Sequence, residues 1–247
     1  MEHENTPNEP QKEYIKKTSI STPAAIITGA VIIGLAVIFI GQPKAAKQQP
    51  AADAPAGEVT SVPADVATVR PTDHIRGNTN ADVVIVEYSD SDCPFCVRFH
   101  TTMQTIVDEY KGKVAWVYRY FPLDSLHPNA TTEAVAMECV ADLGGNDAFN
   151  KYLDTIINVT LNADPKSNQT LTTFATAQGV DGKLFQNCIK DTKASDRVQA
   201  DALEAQKIGA RGTPFSIAYN QKTGEQVVIP GAYPIEEVRT MIDGLLK

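Results

Sequence analysis

The sequence predicts an α/β domain that contains a block of helices and follows a membrane-spanning helix. Three observations predict this fold class. The β-branched run at residues 83–88 is typical of a buried strand, residues 130–208 show a helical pattern, and residues 24–40 are almost wholly apolar. With 43% apolar residues in a chain of 247, the protein has enough apolar side chains for a packed core.

The charge balance argues against nucleic acid as a partner. The formal net charge is −8, and no Lys/Arg-rich run occurs in the chain. Because binding to nucleic acid needs a basic patch, we expect no nucleic-acid partner.

The first element is an apolar segment near the N-terminus. Residues 24–40 read AAIITGAVIIGLAVIFI and lie within a span, residues 18–43, that carries no charged side chain. The segment is close to the length that crosses a bilayer. A cleaved signal peptide is the alternative, although its apolar core is usually about 7–15 residues long. We therefore expect an uncleaved transmembrane anchor at residues 20–41, in contact with membrane lipid.

Two flanking segments complete the N-terminal region. We expect residues 1–19 to form a short cytoplasmic tail, although lysines on both sides of the anchor give little preference for this orientation. Residues 42–68 are rich in Ala, Pro and Gln without hydrophobic periodicity, which is typical of a disordered linker. These segments predict a single-pass membrane protein whose domain at residues 69–247 is extracytoplasmic, in the periplasm or at the cell exterior.

The elements of this domain follow in the order β-α-β, helices, β-β-α. VVIVEY at residues 83–88 predicts a central strand, and VAWVYRYF at residues 114–121 predicts a second one. FSIAY, a polar turn and QVVIP predict a hairpin before a closing helix. Between the first two strands, apolar residues recur at helical spacing: Cys96, Phe99, Met103, Ile106, Val107 and Tyr110.

A pair of cysteines lies where the first helix should begin. In SDCPFCVRF, residues 91–99, Cys93 lies at or just before the helix N-terminus, and Pro94 suits the first turn. Free backbone N–H groups and the helix dipole stabilise a thiolate there, so Cys93 is the expected nucleophile. Cys96, one turn further on, is the expected resolving partner.

Two other interpretations of the pair have less support. A metal site would need two more ligands, but Cys139 and Cys188 are isolated and far away in the sequence, so we expect no metal. A purely structural bridge between Cys93 and Cys96 would close too small a loop to restrain the unfolded chain. Redox chemistry at the two sulfur atoms, without a cofactor, is the favoured interpretation.

Glu87 lies at the end of the apolar strand, where a carboxylate is hard to justify on structural grounds. We interpret it as the proton acceptor that allows Cys96 to lose its proton. The alternative is a side chain that points to solvent at the end of the strand. Spacing alone does not separate the two.

The order of the motifs resembles the DsbA-like branch of the thioredoxin superfamily. VVIVEYSDSDCPFC, YRYFPL, GARGTPF and the closing helix occur in that family's order over residues 75–247. The resemblance implies a thioredoxin fold with a helical domain inserted at about residues 128–208. It also implies a redox disulfide in which Cys93 is exposed and Cys96 is buried, with Glu87 as the family's buried acid.

The resemblance also assigns the loop that faces the active site to Thr213 and Pro214. The family's proline is cis there, which lets the backbone of Thr213 pair with an extended substrate chain. A trans proline that begins an edge strand is the alternative. Pro94 and Phe95 complete the active-site environment, but the strongest oxidants of the family have a histidine in place of Phe95. The strength of the oxidant therefore stays open at this point.

Cys139 and Cys188 lie on the apolar sides of two helical stretches. Two inert buried thiols fit this placement, and so does a structural disulfide. Because the anchor would export the domain to an oxidising space, we expect a Cys139–Cys188 disulfide.

These expectations describe a membrane-anchored thiol:disulfide oxidoreductase. It would donate the Cys93–Cys96 disulfide to reduced exported proteins through a mixed disulfide at Cys93. The resemblance implies a membrane redox partner that reoxidises the pair. A disulfide reductase or isomerase is the alternative enzyme, and a tethered peptide-binding or chaperone module without turnover is the alternative from another class.

Overall fold

A five-stranded mixed sheet forms the centre of the computed structural model, which describes residues 68–161 and 166–247. The strands are β1 (His74–Gly77), β2 (Val83–Ser89), β3 (Val114–Tyr120), β4 (Phe215–Asn220) and β5 (Gln226–Ile229). Their spatial order is β1-β3-β2-β4-β5. Strands β2 and β3 are parallel, and the other neighbouring pairs are antiparallel.

Helices pack against both faces of the sheet. In the described ranges they are α1 (Pro94–Glu109), α2 (Ala130–Leu161), α3 (Asn168–Ala177), α4 (Gly182–Cys188), α5 (Thr192–Lys207) and α6 (Ile235–Leu245). Helices α2 to α5 follow β3 and precede β4, and we call them the helical block. Helix α2 is kinked at Gly145, whose φ of 78° is a conformation that glycine adopts at little cost.

Strand β2 is central because it is paired on both sides. It lies between β3 and β4, and all seven of its residues are buried. Val83 and Ile85 face the core that includes α1, α2 and α6, whereas Val84 and Val86 face the core that includes α5. A strand covered on both faces needs apolar side chains at consecutive positions, as in the run VVIV. Its C-terminal end leads directly to the start of α1.

Strand β1 lies at one edge of the sheet, and the sequence pattern did not predict it. Its sequence, HIRG, is short and half polar. The backbone N–H of Ile75 donates to Asn146 Oδ1 (2.8 Å), and Asn146 Nδ2 donates to the carbonyl oxygen of Ile75 (2.7 Å). The side chain of Asn146 therefore lies where a further strand would pair.

A disulfide crosses the helical block. It joins Cys139 of α2 to Cys188 at the end of α4, across 49 positions of sequence. On the chain-entropy model, closing a loop of this length stabilises the fold by up to about 4 kcal/mol.

The N-terminal segments lie outside the described residues. These are the expected tail and anchor, and the linker as far as residue 67. Within residues 68–161 and 166–247, no helix is both long enough and apolar enough to cross a membrane.

Candidate active site

Cys93 and Cys96 lie at the start of α1. Cys93 is the N-cap residue, with extended backbone angles (φ −72°, ψ 121°), and Pro94 occupies the first turn. Proline suits this position because the first N–H groups of a helix have no partner inside it. Cys96 lies one turn further on and is 1% exposed. Neither sulfur atom takes part in a disulfide in this structure.

Cys93 carries the more acidic thiol. The Cys96 thiol beside it lowers the pKa of Cys93 from an ordinary 9.0 to about 5, although partial burial opposes this. The side chain of Thr213 and the backbone N–H groups of Phe95 and Cys96 also lower the pKa. These N–H groups belong to the free N-terminus of α1, which favours an anion. Cys93 is therefore a thiolate at neutral pH.

Cys93 is less exposed than the resemblance implies. The residue is only 5% exposed, and its Sγ lies 3.5 Å from the carbonyl oxygen of Thr213. The Thr213–Pro214 peptide bond is cis. The expectation of an exposed nucleophile is wrong for this structure because the loop that carries Thr213 lies against the sulfur atom.

Pro94 and Phe95, the two residues between the cysteines, are both exposed, and the larger apolar side chain is that of Phe95. It is 53% exposed, and the guanidinium of Arg98 lies 4.7 Å from the centre of its ring. A cation over an aromatic face is a favourable contact. Phe95 therefore presents an apolar surface next to the nucleophile.

Cys96 and Glu87 are buried on the same face of the sheet. Burial raises the pKa of Cys96 well above its ordinary value, and the neighbouring Cys93 and Glu87 raise it further. Burial also raises the pKa of Glu87 to about 7, although the Ser89 hydroxyl, which donates to Oε1 at 2.6 Å, opposes this. The alternative in which Glu87 points to solvent is wrong because the residue is 1% exposed.

A row of polar side chains crosses the sheet at Glu87. The register places Tyr118 of β3 and Ser216 of β4 beside it, and Trp116 lies two residues before Tyr118 on the same face. The Trp116 indole lies close enough to lower the pKa of Glu87 but not in hydrogen-bond geometry. Within the described ranges, four atoms of these side chains have no hydrogen-bond partner: Glu87 Oε2, Trp116 Nε1, Tyr118 Oη and Ser216 Oγ. We call these four residues the polar row.

The turn before Cys93 is held by the loop after β3. Asp90 Oδ2 accepts hydrogen bonds from the backbone N–H of Leu123 (2.9 Å) and pairs with His127 Nδ1 (2.8 Å). The carbonyl oxygen of Asp90 accepts from the backbone N–H of Cys93 at 3.1 Å. These bonds fix the position of the nucleophile relative to β3.

The same turn is also held by the helical block. Asp92 forms an ion pair with Lys166, and the Ser91 hydroxyl donates to Glu133 Oε2 at 2.7 Å. Glu133 lies on α2, and Lys166 lies just before α3. The active-site turn is therefore connected both to the loop after β3 and to the helical block.

Sequence reasoning missed the polar row, apart from Glu87, and the contacts of the turn. The alternating aromatic residues of VAWVYRYF are a signal that Trp116 and Tyr118 share one face. No comparable signal marks Ser216 or Lys166, because only the register and the packing of distant segments bring them to the site.

The arrangement has the parts for disulfide exchange. Cys93 supplies a stable thiolate, Cys96 a second sulfur one turn away, and Glu87 a carboxyl group that titrates near neutral pH. No group of three or more His, Cys, Asp or Glu side chains in the described part of the chain could hold a metal ion.

Comparisons with known proteins agree with this fold. A family model described as thioredoxin matches residues 69–243. The crystal structure of Pseudomonas aeruginosa DsbA2 is 24% identical, with a TM-score of 0.59, and the match covers 72% of this chain and 97% of that one. The crystal structure of Wolbachia pipientis alpha-DsbA1 is 22% identical, with a TM-score of 0.60, and the match covers 74% of this chain and 94% of that one. These matches confirm the expected thioredoxin fold.

A curated relative of this chain is a much longer protein. The Na(+)/H(+) antiporter NhaA 1 of Mycobacterium sp. strain KMS is 30% identical over 158 residues, which are 62% of this chain. The match spans 25% of the length of the antiporter. The similarity therefore concerns about a quarter of that relative.

Proposed function

Because the chain belongs to the thioredoxin family, we propose that it is a thiol:disulfide oxidoreductase that donates a Cys93–Cys96 disulfide to other proteins. The observation that carries the proposal is the asymmetry of the two thiols. The pKa of Cys93 is lowered to about 5, whereas that of Cys96 is raised well above its ordinary value. A stabilised Cys93 thiolate stabilises the reduced pair, and this makes the disulfide a stronger oxidant.

The exchange begins when a thiolate of a client protein attacks Cys93 Sγ in the Cys93–Cys96 disulfide. A mixed disulfide forms between the client and Cys93, and the electron pair of the broken bond goes to Cys96. A second client thiolate then attacks the client sulfur and releases Cys93 as a thiolate. The low pKa of Cys93 makes it the better leaving group in this second step.

Glu87 transfers the proton of Cys96. A buried Cys96 thiolate must be protonated when it leaves, and the Glu87 carboxyl group, with a pKa of about 7, carries a proton to donate near neutral pH. When Cys96 instead attacks a mixed disulfide, the Glu87 carboxylate accepts the same proton.

The client chain binds beside Thr213 and Pro214. The Thr213 carbonyl oxygen lies 3.5 Å from Cys93 Sγ, so an extended chain bonded to that sulfur would pass next to this backbone. The exposed ring of Phe95 offers an apolar contact on the other side of the pair. Pro94 keeps the first turn of α1 in place between them.

The clients are reduced exported proteins, and the domain works outside the cytoplasm. The anchor at residues 20–41 and the linker at residues 42–68 would hold it at the membrane, where a membrane redox partner reoxidises the pair. The Cys139–Cys188 disulfide supports this location because structural disulfides persist mainly in oxidising compartments. The likeness in fold to DsbA2 supports the same class of reaction.

The reduction potential of the pair tests the proposal. The full chain is equilibrated with glutathione buffers, and its free thiols are counted. The count obtained with a Cys93→Ser, Cys96→Ser chain is subtracted, which leaves the thiols of Cys93 and Cys96. A disulfide donor should give about −120 to −180 mV. A value near about −270 mV would contradict donation and favour a reductase that needs an electron supply.

The same double variant separates an enzyme from a binding module. We expect the Cys93→Ser, Cys96→Ser chain to oxidise a reduced, unfolded protein no faster than buffer does. A module that acted by holding peptides beside Thr213 and Pro214 would keep its biological effect in this variant, and that result would overturn the enzymatic proposal.

A further inference from the structure

Lys166 is a nearly buried cation beside the active-site turn. Its side chain is 6% exposed. The ammonium group forms an ion pair with Asp92, lies 2.8 Å from the Glu133 carboxylate and donates to Thr160 Oγ1 at 2.6 Å. One buried cation therefore faces two carboxyl groups.

The contacts of Lys166 reach the backbone of the turn. The Ser91 hydroxyl donates to Glu133 Oε2 at 2.7 Å, and Thr160 Oγ1 donates to the carbonyl oxygen of Ser91 at 3.1 Å. Burial raises the pKa of Glu133 to about 7, although Lys166 lowers it. Lys166 therefore lies between the carboxyl groups of Glu133 and Asp92. Near pH 7 the Glu133 carboxyl group is partly protonated.

Asp92 directly precedes Cys93, so its carboxylate is within about 10 Å of the reactive sulfur. A negative charge at this distance disfavours a thiolate, and a cation next to it offsets the effect. Among the described residues, the other charged groups around the turn are Asp90, which is paired with His127 at 2.8 Å, Glu87, which lies behind Cys96, and Arg98, whose guanidinium lies over the Phe95 ring. Lys166 is the cation that faces Asp92.

We propose that Lys166 is a positioning residue for Cys93: its ammonium group offsets the carboxylates beside the active-site turn and so stabilises the thiolate form of Cys93. The inference rests on the proposed function, since it explains how the disulfide stays oxidising although an aspartate precedes the nucleophile. Lys166 acts through charge and does not touch the reacting sulfur atoms.

Two variants that break the same ion pair should shift the pKa of Cys93 in opposite directions. Lys166→Met removes the cation and should raise the pKa of Cys93 by about one pH unit. At any pH well below the pKa of Cys93 in the unchanged protein, the thiolate fraction should then be about tenfold lower. Asp92→Asn removes the anion and should lower the pKa of Cys93. Lys166→Arg keeps the charge and should leave the pKa close to that of the unchanged protein.

The measurement is the thiolate absorbance of the reduced full chain against pH, with the Cys139–Cys188 disulfide intact. Opposite shifts in Lys166→Met and Asp92→Asn support the inference. Shifts of the same sign, or an unchanged pKa in a folded Lys166→Met chain, would overturn it, because a purely structural contact is lost equally in both variants. If Lys166→Met does not fold, an Asp92→Asn chain whose Cys93 pKa fails to decrease overturns the inference by itself.

The outcome for the unchanged protein separates this inference from the proposed function. If Cys93 of the unchanged protein titrates near the ordinary thiol pKa of 9.0, the proposed function fails. If it titrates near 5 and the variants do not shift as expected, only the role of Lys166 fails.

Discussion

Two neighbouring residues of β2 face very different polar surroundings. Glu87 belongs to the polar row, in which four atoms lack hydrogen-bond partners among the residues that the structure describes. Tyr88 faces the opposite side of the sheet, where its hydroxyl donates to Glu204 and accepts a hydrogen bond from Arg119 at 3.0 Å. One face of the strand therefore carries a network of paired polar groups, and the other carries polar atoms without a partner among the described residues, although Glu87 Oε1 accepts from Ser89.

The face with paired groups is organised around Arg119. This side chain is fully buried and donates to both carboxylate oxygens of Asp73, at 2.8 and 3.0 Å, and the side chain of Asp73 is fully buried too. Arg70 and Arg197 extend the network to Asp201 on α5. The buried charges of this network are paired, whereas the unpaired polar atoms beside Cys96 destabilise the fold, which the proposed proton transfer by Glu87 would explain.

Replacing Arg119 with Met should have the largest effect. The change leaves the Asp73 carboxylate buried without its main partner, which costs about 3–5 kcal/mol of unfolding free energy. Urea unfolding of the full chain measures the loss, and the pKa of Cys93 should not change. The control is Lys193→Met, which breaks an exposed pair with Asp142 and should leave stability nearly unchanged. Equal stability of the two variants would contradict a structural role for the network.

Replacing Glu87 with Gln should have the next largest effect, and a pH-dependent one. The carboxyl group titrates at 4.5 in the unfolded chain and at about 7 in the fold, so the unfolded state loses its proton first as the pH rises. The contribution of Glu87 to stability is therefore fully present below pH 4.5 and is lost by about pH 7, at a cost of about 3 kcal/mol.

The Glu87→Gln variant should lack this loss. Its advantage in unfolding free energy over the unchanged protein should grow between about pH 4.5 and 7 and then level off. The same variant should resolve mixed disulfides more slowly. Rapid-quench trapping of the mixed disulfide measures this rate. A stability difference that is constant with pH, together with an unchanged rate, would show that Glu87 does not transfer the proton.

Matched changes of tyrosine to phenylalanine give the smallest effects and the sharpest comparison. Tyr88→Phe removes a hydroxyl that bonds to Glu204 and Arg119 and should cost about 1–3 kcal/mol. Tyr118→Phe removes a buried hydroxyl that has no hydrogen-bond partner in the described ranges, so it should not destabilise the fold and should raise its stability by about 1 kcal/mol or less. Urea unfolding of both variants measures the difference. The reverse order would contradict the comparison.

The sequence predicted those parts of the fold that local patterns encode. A continuous β-branched run gave β2, and Pro94 after Cys93 marked the start of α1, because a strand buried on both faces and a first helical turn each restrict the residue types. Strand β1 could not be predicted, since four half-polar residues at an edge carry no pattern.

From spacing in the sequence, only the local part of the site was predictable, and the family resemblance alone placed Thr213 and Pro214 opposite the cysteines. The spacing of Glu87, Cys93 and Cys96 was visible because they are close in sequence. Lys166 lies far from Cys93 in the chain, and its place beside the turn depends on how the helical block packs. The low exposure of Cys93 likewise depends on the distant loop at Thr213.

The contact between Asn146 and Ile75 affects whether an unfolded chain can pair with the free edge of the sheet at β1. A free sheet edge is a template on which another polypeptide can pair and aggregate. Both outward backbone groups of Ile75 are taken by Asn146, and Asn150 Nδ2 also donates to the carbonyl oxygen at 3.1 Å. On the proposed function, an unfolded client would therefore be held through one sulfur atom without being recruited onto this edge as an extra strand.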